Sequence, residues 1–452
     1  ETCTISNCWF TANTAASDAG AFYVSEGDYL YLYDCGFTNN TATADYGGAV
    51  YLGGTRVLGV ASNCTFQSNT CADYGGGLFL GTFTNLVVAQ CGFRNNTCGS
   101  GAGYGGAVYI GGGAVSTNVF TNCTFVANNN VLTAGGAIYA ASGDLRILAS
   151  TFANNTANTD GGAIFLADAN QSPSPRFVDS SFSNNTAQTA SGGAIYLQSI
   201  DSGSGLISNS TFYGNTAATA AGAVRLDGGT ALAVARSDFV ANTARTQEGG
   251  AVRIAAVPSI FRNCLFARNS CSSGNSYGGG ALSLIGSATF LVDGVTFFGN
   301  VSAYDGGAID LQQGTLRLTN SIFQNNTARW TGNSIHIDAN DYIDMGYCNV
   351  NTNFIQVDSG GAYRNYGAGI SWVDPLFADA DADDYHVKSP YGRWSVDRFV
   401  FTDTQTSPCI DTGNPASSYA EETEDNGDRV NMGRYGNTAE ASRSGHSGLV
   451  LI

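Results

Sequence analysis

Gly161-Gly162-Ala163-Ile164-Phe165-Leu166, preceded by Phe152-Ala153-Asn154-Asn155, is one copy of two phrases that recur along most of the chain. The spacing Phe-x-x-Asn occurs twelve times, and successive Phe residues lie 26 to 32 positions apart. A short polar link then leads to Gly-Gly-Ala or a close variant. A fixed period in this range is typical of repeat proteins, so it predicts one long solenoid over residues 1–340.

Alternating apolar positions after each Gly-Gly-Ala predict a short strand. Ile164 and Leu166 share one face, and the equivalent positions of the other copies are apolar as well. A second strand is predicted from Arg146 to the repeated Phe152. The links are too short for a crossover helix, so each copy must turn one coil and the coils must stack with parallel pairing. The fold class is therefore all-β, a right-handed parallel β-helix of about 12–13 coils with an irregular C-terminal cap.

The repeated Asn and the Gly pair are predicted to be structural. Asn tolerates the left-handed backbone conformation at a corner, and its amide can bond the backbone of neighbouring coils. The Gly pair supplies backbone freedom at the next corner. Every copy has both features, whereas a catalytic residue is needed only once.

The net charge of the chain limits the kinds of partner that it is expected to bind. The net charge is −17, and Lys388 is the only lysine. We therefore expect neither nucleic acid nor an anionic membrane surface as a partner. No apolar run approaches the roughly eighteen residues that suggest a membrane span.

Cysteines occupy ordered positions in the repeat. Three copies hold two cysteines seven positions apart: Cys64 and Cys71, Cys91 and Cys98, and Cys264 and Cys271. The two positions flank one corner, so they are candidates for a disulfide within a coil. Free thiols stacked as small core residues are the alternative. We favour disulfides because the second cysteine of a pair appears only where the first is present. This predicts an extracellular location, at the cell surface.

One outward-facing column is aromatic over seven consecutive copies and polar beyond them. Its aromatic members are Tyr23, Tyr51, Phe79, Tyr109, Tyr139, Phe165 and Tyr196. An exposed apolar stripe of this length is typical of a contact surface for a glycan, a neighbouring subunit or a host or cell-surface protein. A self-contained ladder that stabilises the stack is the alternative.

The polar continuation of this column provides the one enzyme hypothesis. Arg253, Asp310 and His336 are predicted to face outward on one sheet, with Arg225, Asp227 and Asp338 nearby. Paired acids, Arg or calcium on such a face would suit a polysaccharide lyase or a glycoside hydrolase. A solvated charged face is the alternative, because Asp310 and Arg253 lie two coils apart.

Residues 341–440 are predicted to form the cap, which covers the last open strand edge. Asp379, Asp381 and Asp383 could hold calcium, although a solvated turn is the simpler interpretation. Otherwise we expect no metal and no cofactor. Residues 441–452 are predicted to be a flexible link and an apolar strand, Leu449-Val450-Leu451-Ile452. That strand and the uncapped first coil suggest self-association, head to tail or by strand addition.

The alternation of Phe-x-x-Asn with Gly-Gly-Ala-(Ile/Leu/Val) resembles the repeat of chlamydial polymorphic outer membrane proteins and related bacterial surface proteins. The tail phrases Asp374-Pro375-Leu376-Phe377 and Ser407-Pro408-Cys409-Ile410-Asp411 are similar to the C-terminal segment of secreted bacterial right-handed β-helix repeat proteins. The resemblance implies an adhesin, a structural protein or a polysaccharide-active enzyme. We expect a non-enzymatic extracellular surface protein, either an adhesin or a filament subunit.

Overall fold

The computed structural model describes residues 2–25, 29–53, 58–81, 85–111, 116–167, 174–272, 278–350, 355–357, 363–423 and 426–445. Within these ranges the chain forms four parallel sheets, here called A to D, and each coil contributes one strand to each sheet in that order. Twelve coils have all four strands, and further strands of sheets A, B and D follow. The predicted parallel β-helix of about 12–13 coils is confirmed.

The strand bounds repeat with the sequence period. Sheet A consists of Thr2–Ser6, Tyr29–Tyr33, Leu58–Ser62, Asn85–Ala89, Thr117–Thr121, Asp144–Leu148, Arg176–Val178, Ile200–Ser208, Gly229–Ala235, Ser259–Arg262, Thr289–Asp293, Thr315–Thr319, Tyr342–Gly346 and Tyr363–Tyr366. Sheet B consists of Trp9–Thr11, Gly36–Thr38, Thr65–Gln67, Gly92–Arg94, Thr124–Val126, Thr151–Ala153, Ser181–Ser183, Thr211–Tyr213, Asp238–Val240, Leu265–Ala267, Thr296–Phe298, Ile322–Gln324 and Asn349–Val350.

The two remaining sheets have shorter strands. Sheet C consists of Thr14–Ala15, Thr41–Ala42, Thr70–Cys71, Thr97–Cys98, Asn129–Asn130, Thr156–Ala157, Thr186–Ala187, Thr216–Ala217, Thr243–Ala244, Ser270–Cys271, Val301–Ser302 and Thr327–Ala328. Sheet D consists of Phe22–Val24, Val50–Leu52, Leu78–Leu80, Val108–Ile110, Ile138–Ala140, Ile164–Leu166, Ile195–Leu197, Val224–Leu226, Val252–Ala255, Leu282–Ile285, Ile309–Gln312, Ile335–Ile337 and Ile355–Val357.

The single strand predicted from Arg146 to Phe152 is wrong. The structure divides this stretch into a sheet A strand that ends at Leu148 and a sheet B strand that begins at Thr151. Ala149 lies between them with a φ of 46°, and a left-handed residue of this kind turns the chain through the corner. Period-two alternation continues across so short a corner, so the sequence pattern does not reveal it.

The repeated Asn has the predicted amide role but not the predicted backbone conformation. Asn154, the residue before it, is left-handed with a φ of 56°. Asn155 itself is buried, and its Nδ2 donates to the Phe125 carbonyl oxygen and to Asn185 Oδ1, each at 2.9 Å. The amide therefore joins three successive coils.

Phe side chains and the Gly pair fix the spacing of the stack. The repeated Phe rings lie inside the solenoid, and the ring centroids of Phe212 and Phe239 are 4.7 Å apart and parallel. Gly161 has a φ of 62°, as the corner prediction requires. A Cβ on Gly162 would lie 2.1 Å from the carbonyl oxygen of Gly193, so this position admits no side chain.

The predicted cap, residues 341–440, has two parts: Tyr363–Tyr366 and Ser371 pair with the last strands of sheets A and B, whereas residues 374–423 and 426–445, here called the returning segment, lie elsewhere. The returning segment lies along the outer face of sheet B, where Tyr385 and Met432 pack with Leu265 and Ile322. Arg434 Nε also donates to Asp238 Oδ1 at 2.7 Å. Each of the ninth to twelfth coils has at least one apolar outward side chain on sheet B, and burying Val240, Leu265, Phe298 and Ile322 is the physical reason for this placement.

The end of the described chain is packed, contrary to the predicted flexible link from residue 441. Ala441 and Ser442 are buried, and Ser442 Oγ donates to the Val387 carbonyl oxygen at 2.6 Å. The predicted apolar strand Leu449–Ile452 lies outside the described residues. Two short hairpins pair Phe377–Asp379 with Asp384–Val387 and Arg393–Ser395 with Arg398–Val400, and Ala380–Ala382 is a 3₁₀ turn. None of the described helical residues forms a helix that could span a membrane.

Candidate functional site

The aromatic column on the outer face of sheet D is a continuous ladder, stacked face to face from Tyr23 to Phe165 and edge to face between Phe165 and Tyr196. In-register pairing of the strands places each ring over the next, because parallel strands lie about 4.8 Å apart. Successive centroids are 4.7 Å apart between Tyr23 and Tyr51, 5.5 Å between Tyr109 and Tyr139, and 5.1 Å between Tyr139 and Phe165. The ladder ends where Arg225 lies over the Tyr196 ring, 4.8 Å from its centroid.

A second row of rings, which the repeat-based predictions did not include, covers part of this ladder. Tyr46 stacks on Phe79 at 4.9 Å, and Tyr74 stacks on Tyr109 at 4.7 Å. Tyr104 contacts Tyr139 at 4.5 Å. The signal was a Tyr directly before the Gly pair in three consecutive repeats.

Burial of the ladder supports the interpretation that it stabilises the stack. Phe79 and Phe165 are buried, while Tyr23 in the first coil is 52% exposed. Burial raises the pKa of Tyr109 to about 12. Because successive rings stack face to face, the ladder offers ring edges to a partner more than open faces.

The first polar group beyond the ladder is a network of ion pairs. Arg225 Nη2 lies 2.7 Å from Asp227 Oδ2, and the Tyr196 hydroxyl donates to the same carboxylate. Burial raises the pKa of Asp227, but hydrogen bonds from Arg225 and Tyr196 outweigh it, so the pKa stays below its ordinary value. The Asp227 carboxylate is therefore charged, and both of its oxygens are hydrogen-bonded.

Arg253 belongs to the same network. Its Nη1 donates to Asp227 Oδ1 and its Nε donates to Glu248 Oε1 at 2.7 Å. Two arginines thus neutralise two buried or half-buried acids along neighbouring coils. Arg253 is aligned with Ser283, and Ser283 is aligned with Asp310, so Arg253 and Asp310 stand two strands apart.

Asp310 and His336 do come together. His336 Nδ1 lies 2.7 Å from Asp310 Oδ1 and 3.7 Å from Asp338 Oδ1. Asp310 Oδ2 accepts from Gln312 Nε2 at 2.7 Å and from the Gly278 backbone at 2.9 Å. The structure therefore unites two of the three residues of the enzyme hypothesis and leaves Arg253 in a separate network.

In the described part of the chain, side chains are arranged as they would be around a metal ion only near Asp310 and His336. Ligand atoms of Asp310, His336 and Asp338 lie within 4.8 Å of one another, and this is the one such group of three among the described residues. Asp379 and Asp383 have local partners: Asp379 caps the 3₁₀ turn, and Asp383 pairs with Arg268. Calcium at Asp379, Asp381 and Asp383 stays a prediction.

The cysteines differ from the expected pairing. No disulfide joins any of the twelve cysteines, all of which lie in the described ranges. Cys64 belongs to the main core, whereas Cys71 lies in a separate cluster with Ala42 and Cys98. The closest approach of Cys71 is to the next coil, where Cys98 Sγ lies 2.8 Å from its Sγ. Cys91 and Cys98 are divided between the same two clusters, so the packing does not favour the within-coil bonds predicted for Cys64–Cys71 and Cys91–Cys98, and the bond Cys264–Cys271 stays a prediction.

A groove of about 340 Å³ lies between sheet A and the returning segment. Its charged and aromatic lining includes Arg262, Asp293, Arg317, Asp344 and Tyr347. The aligned positions of neighbouring strands place Arg317 beside Asp344. A surface with alternating donors and acceptors beside an aromatic ring suits hydroxyl-rich ligands. The sequence period does not predict this groove, because Gly367, Ala368 and Asn414, which also line it, come from parts of the chain without the repeat.

Three family models match the chain. The model of the right-handed β-helix region matches residues 1–156, and the model described as disaggregatase related matches residues 306–413. The Chlamydia polymorphic membrane protein repeat matches residues 149–167, 179–198 and 294–312. These repeats suggest an outer-membrane or surface protein.

The chain was also compared with curated proteins and with solved structures. No curated protein matches the sequence. A solved complex of alginate lyase AlyF-OU02 with G6 is 11% identical with a TM-score of 0.37, over 84% of this chain and 86% of that chain. The stacked coils, the Phe and Asn ladders and the model of the right-handed β-helix region agree with one another: the chain folds as a right-handed parallel β-helix, and three of its segments are similar to the Chlamydia polymorphic membrane protein repeat.

Proposed function

We propose that the chain is a non-enzymatic extracellular surface protein that serves as an adhesin or as a subunit of a surface filament. The observation that carries this proposal is the repeat type, which matches in three separate segments of the solenoid. The outer face of sheet D supports it, because seven coils of that face carry a ladder whose rings stabilise each other. A rigid rod of this kind holds a binding surface away from its attachment point.

Adhesion is assigned to the groove beside the returning segment. Arg262 and Arg317 supply donors, Asp293 and Asp344 supply acceptors, and Tyr347 supplies an aromatic ring, over one face of which Arg429 lies at 5.4 Å. Polar groups placed around an aromatic ring are a common way to hold sugars, since the ring covers the apolar face of the sugar and the charges bond its hydroxyls. The partner proposed here is therefore a cell-surface glycan.

Self-association is assigned to the edge of sheet A at Tyr363–Tyr366. Among the described strands this one pairs only with Tyr342–Gly346 and leaves its other side open. Tyr363 is 71% exposed and Tyr366 is 45% exposed. An open strand edge with exposed aromatic side chains is suited to pairing with a second copy.

Electron microscopy of the full chain tests whether it forms filaments, and a glycan array tests whether it binds glycans as an adhesin. Rods joined end to end should be lost in Tyr363→Lys/Tyr366→Lys, while Tyr213→Lys, an exposed ring in mid-rod, should leave them unchanged. Glycan signals should fall at least tenfold in Arg317→Ala and persist in Arg245→Ala. Isolated rods without any glycan signal would contradict the proposal.

Catalysis on a polysaccharide is the second candidate, because His336 Nδ1 lies 2.7 Å from Asp310 Oδ1 as in an oriented acid–base pair, although both side chains are buried. A lyase would release unsaturated sugar ends, which absorb in the ultraviolet, and a hydrolase would release reducing ends. Neither product should form on uronate-containing or neutral polysaccharides if the first proposal holds. Turnover that disappears in His336→Gln would establish the enzyme instead.

A further inference from the structure

We propose that Cys71 and Cys98 form a disulfide that bonds the third coil to the fourth. Their Sγ atoms are 2.8 Å apart. The residues are direct partners in the register of Thr70–Cys71 with Thr97–Cys98. In-register partners of a parallel sheet lie about 4.8 Å apart, which falls inside the range of Cα separations that a disulfide spans.

The surroundings leave room for the bond. Cys71 and Cys98 are 2% and 0% exposed, and the small Ala42 completes their cluster. The sulfurs need to approach by less than about 1 Å, since a disulfide bond is about 2.05 Å long. No bulky side chain of this cluster has to move for that approach.

The tenth coil provides an internal control. Cys271 is the equivalent of Cys71 there, but its register partners are Ala244 and Ser302. A bond within a coil would join Cys264 to Cys271 as readily as Cys64 to Cys71. A bond between coils forms only where two neighbouring copies both have the second cysteine, which in this repeat column is the pair Cys71 and Cys98.

The reaction requires a two-electron oxidant, and we assign a small-molecule disulfide such as oxidised glutathione. One protein thiolate attacks a sulfur of the oxidant, forms a mixed disulfide and releases one thiolate. The second protein thiolate then attacks the first cysteine sulfur, forms the Sγ–Sγ bond and releases the other. Two protons and two electrons leave the protein, and the oxidant becomes two thiols.

The bond must form while the coils assemble. In the folded protein both thiols are closed to solvent, and burial raises the pKa of Cys71. A thiol rather than a thiolate attacks disulfides poorly. The disulfide therefore forms when the chain folds in an oxidising compartment, and reduced protein that is already folded should resist oxidation.

Peptide mapping tests the assignment on the full chain. The protein is refolded with oxidised and reduced glutathione, alkylated under denaturing conditions, and cut with trypsin and with a protease that cleaves before Asp. Cys64 and Cys71 then lie in fragment 57–72, Cys91 in 73–94, and Cys98 and Cys123 in 95–143. The expected product is 57–72 bonded to 95–143. It should persist in Cys64→Ser and Cys123→Ser and disappear in Cys71→Ser.

The same peptide map would also reveal the results that contradict a Cys71–Cys98 bond. A bond inside 57–72, a bond joining 73–94 to 95–143, or a bond joining fragment 263–268 to 269–292 would restore the within-coil assignment. Complete alkylation of wild-type protein would show that no disulfide forms. Because the map is read on wild-type protein, it does not depend on the folding of a variant. Reduction should also lower the melting temperature of wild type by several degrees and leave Cys71→Ser/Cys98→Ser unchanged.

Discussion

Asn155 donates its side-chain amide to Oδ1 of Asn185, one coil further along, at 2.9 Å. The Asn155 Oδ1 in turn accepts the backbone and side-chain N–H groups of Asn128, each at 3.0 Å. The same bonds repeat from Asn13 to Asn326 and form a buried chain of amides along the corner between sheets B and C. Each amide both donates and accepts, so the chain is interrupted by any residue that cannot do both.

Replacing Asn155 by Ala is therefore expected to destabilise the solenoid by about 3 kcal/mol or more. The change removes four hydrogen bonds and leaves the buried backbone and side-chain N–H groups of Asn128 without their acceptor, while Asn185 Oδ1 keeps only the backbone N–H of residue 155. Urea unfolding followed by circular dichroism measures it. Asn154→Gly is the matched control, because Gly adopts the left-handed conformation of the adjacent corner residue and should cost less than about 1 kcal/mol. Equal losses in both variants would contradict the amide chain.

The Arg225–Asp227 pair should contribute stability in a pH-dependent way. The pKa of Asp227 is below its ordinary value, so its stabilisation is present at neutral pH and is lost as the pH falls through the folded-state pKa, below 3.8. Arg225→Met should cost about 2 kcal/mol at pH 7, because it leaves a half-buried carboxylate with fewer partners. The difference from wild type should shrink near pH 3.

A double-mutant cycle with Asp227→Asn separates the pair from the loss of packing around Arg225. Arg236 and Glu421 form a more exposed ion pair and serve as the control. Arg236→Met should cost less than about 1 kcal/mol at either pH. A coupling energy near zero for Arg225 and Asp227 would mean that the packing of Arg225, and not its ion pair with Asp227, contributes to stability.

The repeat period predicts the coil because the same physical requirement returns every 26 to 32 residues. Phe152 must stack, Asn155 must bond two neighbours and Gly162 must leave space for Gly193, so each requirement selects one residue type in every copy. The Ala149 corner had no such signature, because a left-handed residue there can be Ala, Asn, Asp or Arg.

The site residues were harder to predict, because their partners come from other parts of the chain. The alternation placed Asp310 and His336 on one face, but it could not show that Glu248 and Asp227 would bind Arg253. The groove beside sheet A depends on the returning segment, which has no repeat. Cysteine spacing along the chain suggested bonds within a coil, whereas distance in the stack favours Cys71 with Cys98.

The returning segment should detach without unfolding the solenoid. Tyr385 is buried between Phe298 and Phe377, with ring centroids 5.3 and 5.8 Å away. Tyr385→Asp places a charge in this cluster and should release the segment, because an unpaired buried carboxylate is costly. Limited trypsin digestion should then cut at Lys388, while circular dichroism keeps the β signal.

Phe401→Asp is the control for this experiment, since Phe401 is an exposed residue of the same segment. It should leave the trypsin pattern of wild type intact. If Tyr385→Asp abolished the β signal, the segment and the solenoid would form one cooperative unit and the prediction would be wrong.

Glu422 should make the stability of the returning segment fall as the pH rises towards neutrality. Its Oε1 accepts the backbone N–H groups of Asn431 and Asn437 at 2.9 and 2.7 Å, while Oε2 is buried with no hydrogen-bond partner among the described groups. Burial raises the pKa of Glu422 from 4.5 to about 7. The folded state therefore favours the protonated carboxyl, and its advantage is complete below pH 4.5 and is lost as the pH rises through about 7.

The expected loss between these limits is roughly 3 kcal/mol, since each pKa unit corresponds to about 1.4 kcal/mol. Thermal unfolding from pH 4 to pH 8 measures it, with trypsin cleavage at Lys388 as the local readout. Glu422→Gln keeps a neutral group of the same shape and should flatten the profile, whereas Glu421→Gln at the exposed neighbouring position should keep the wild-type slope. An unchanged slope in Glu422→Gln would assign the pH dependence to another group.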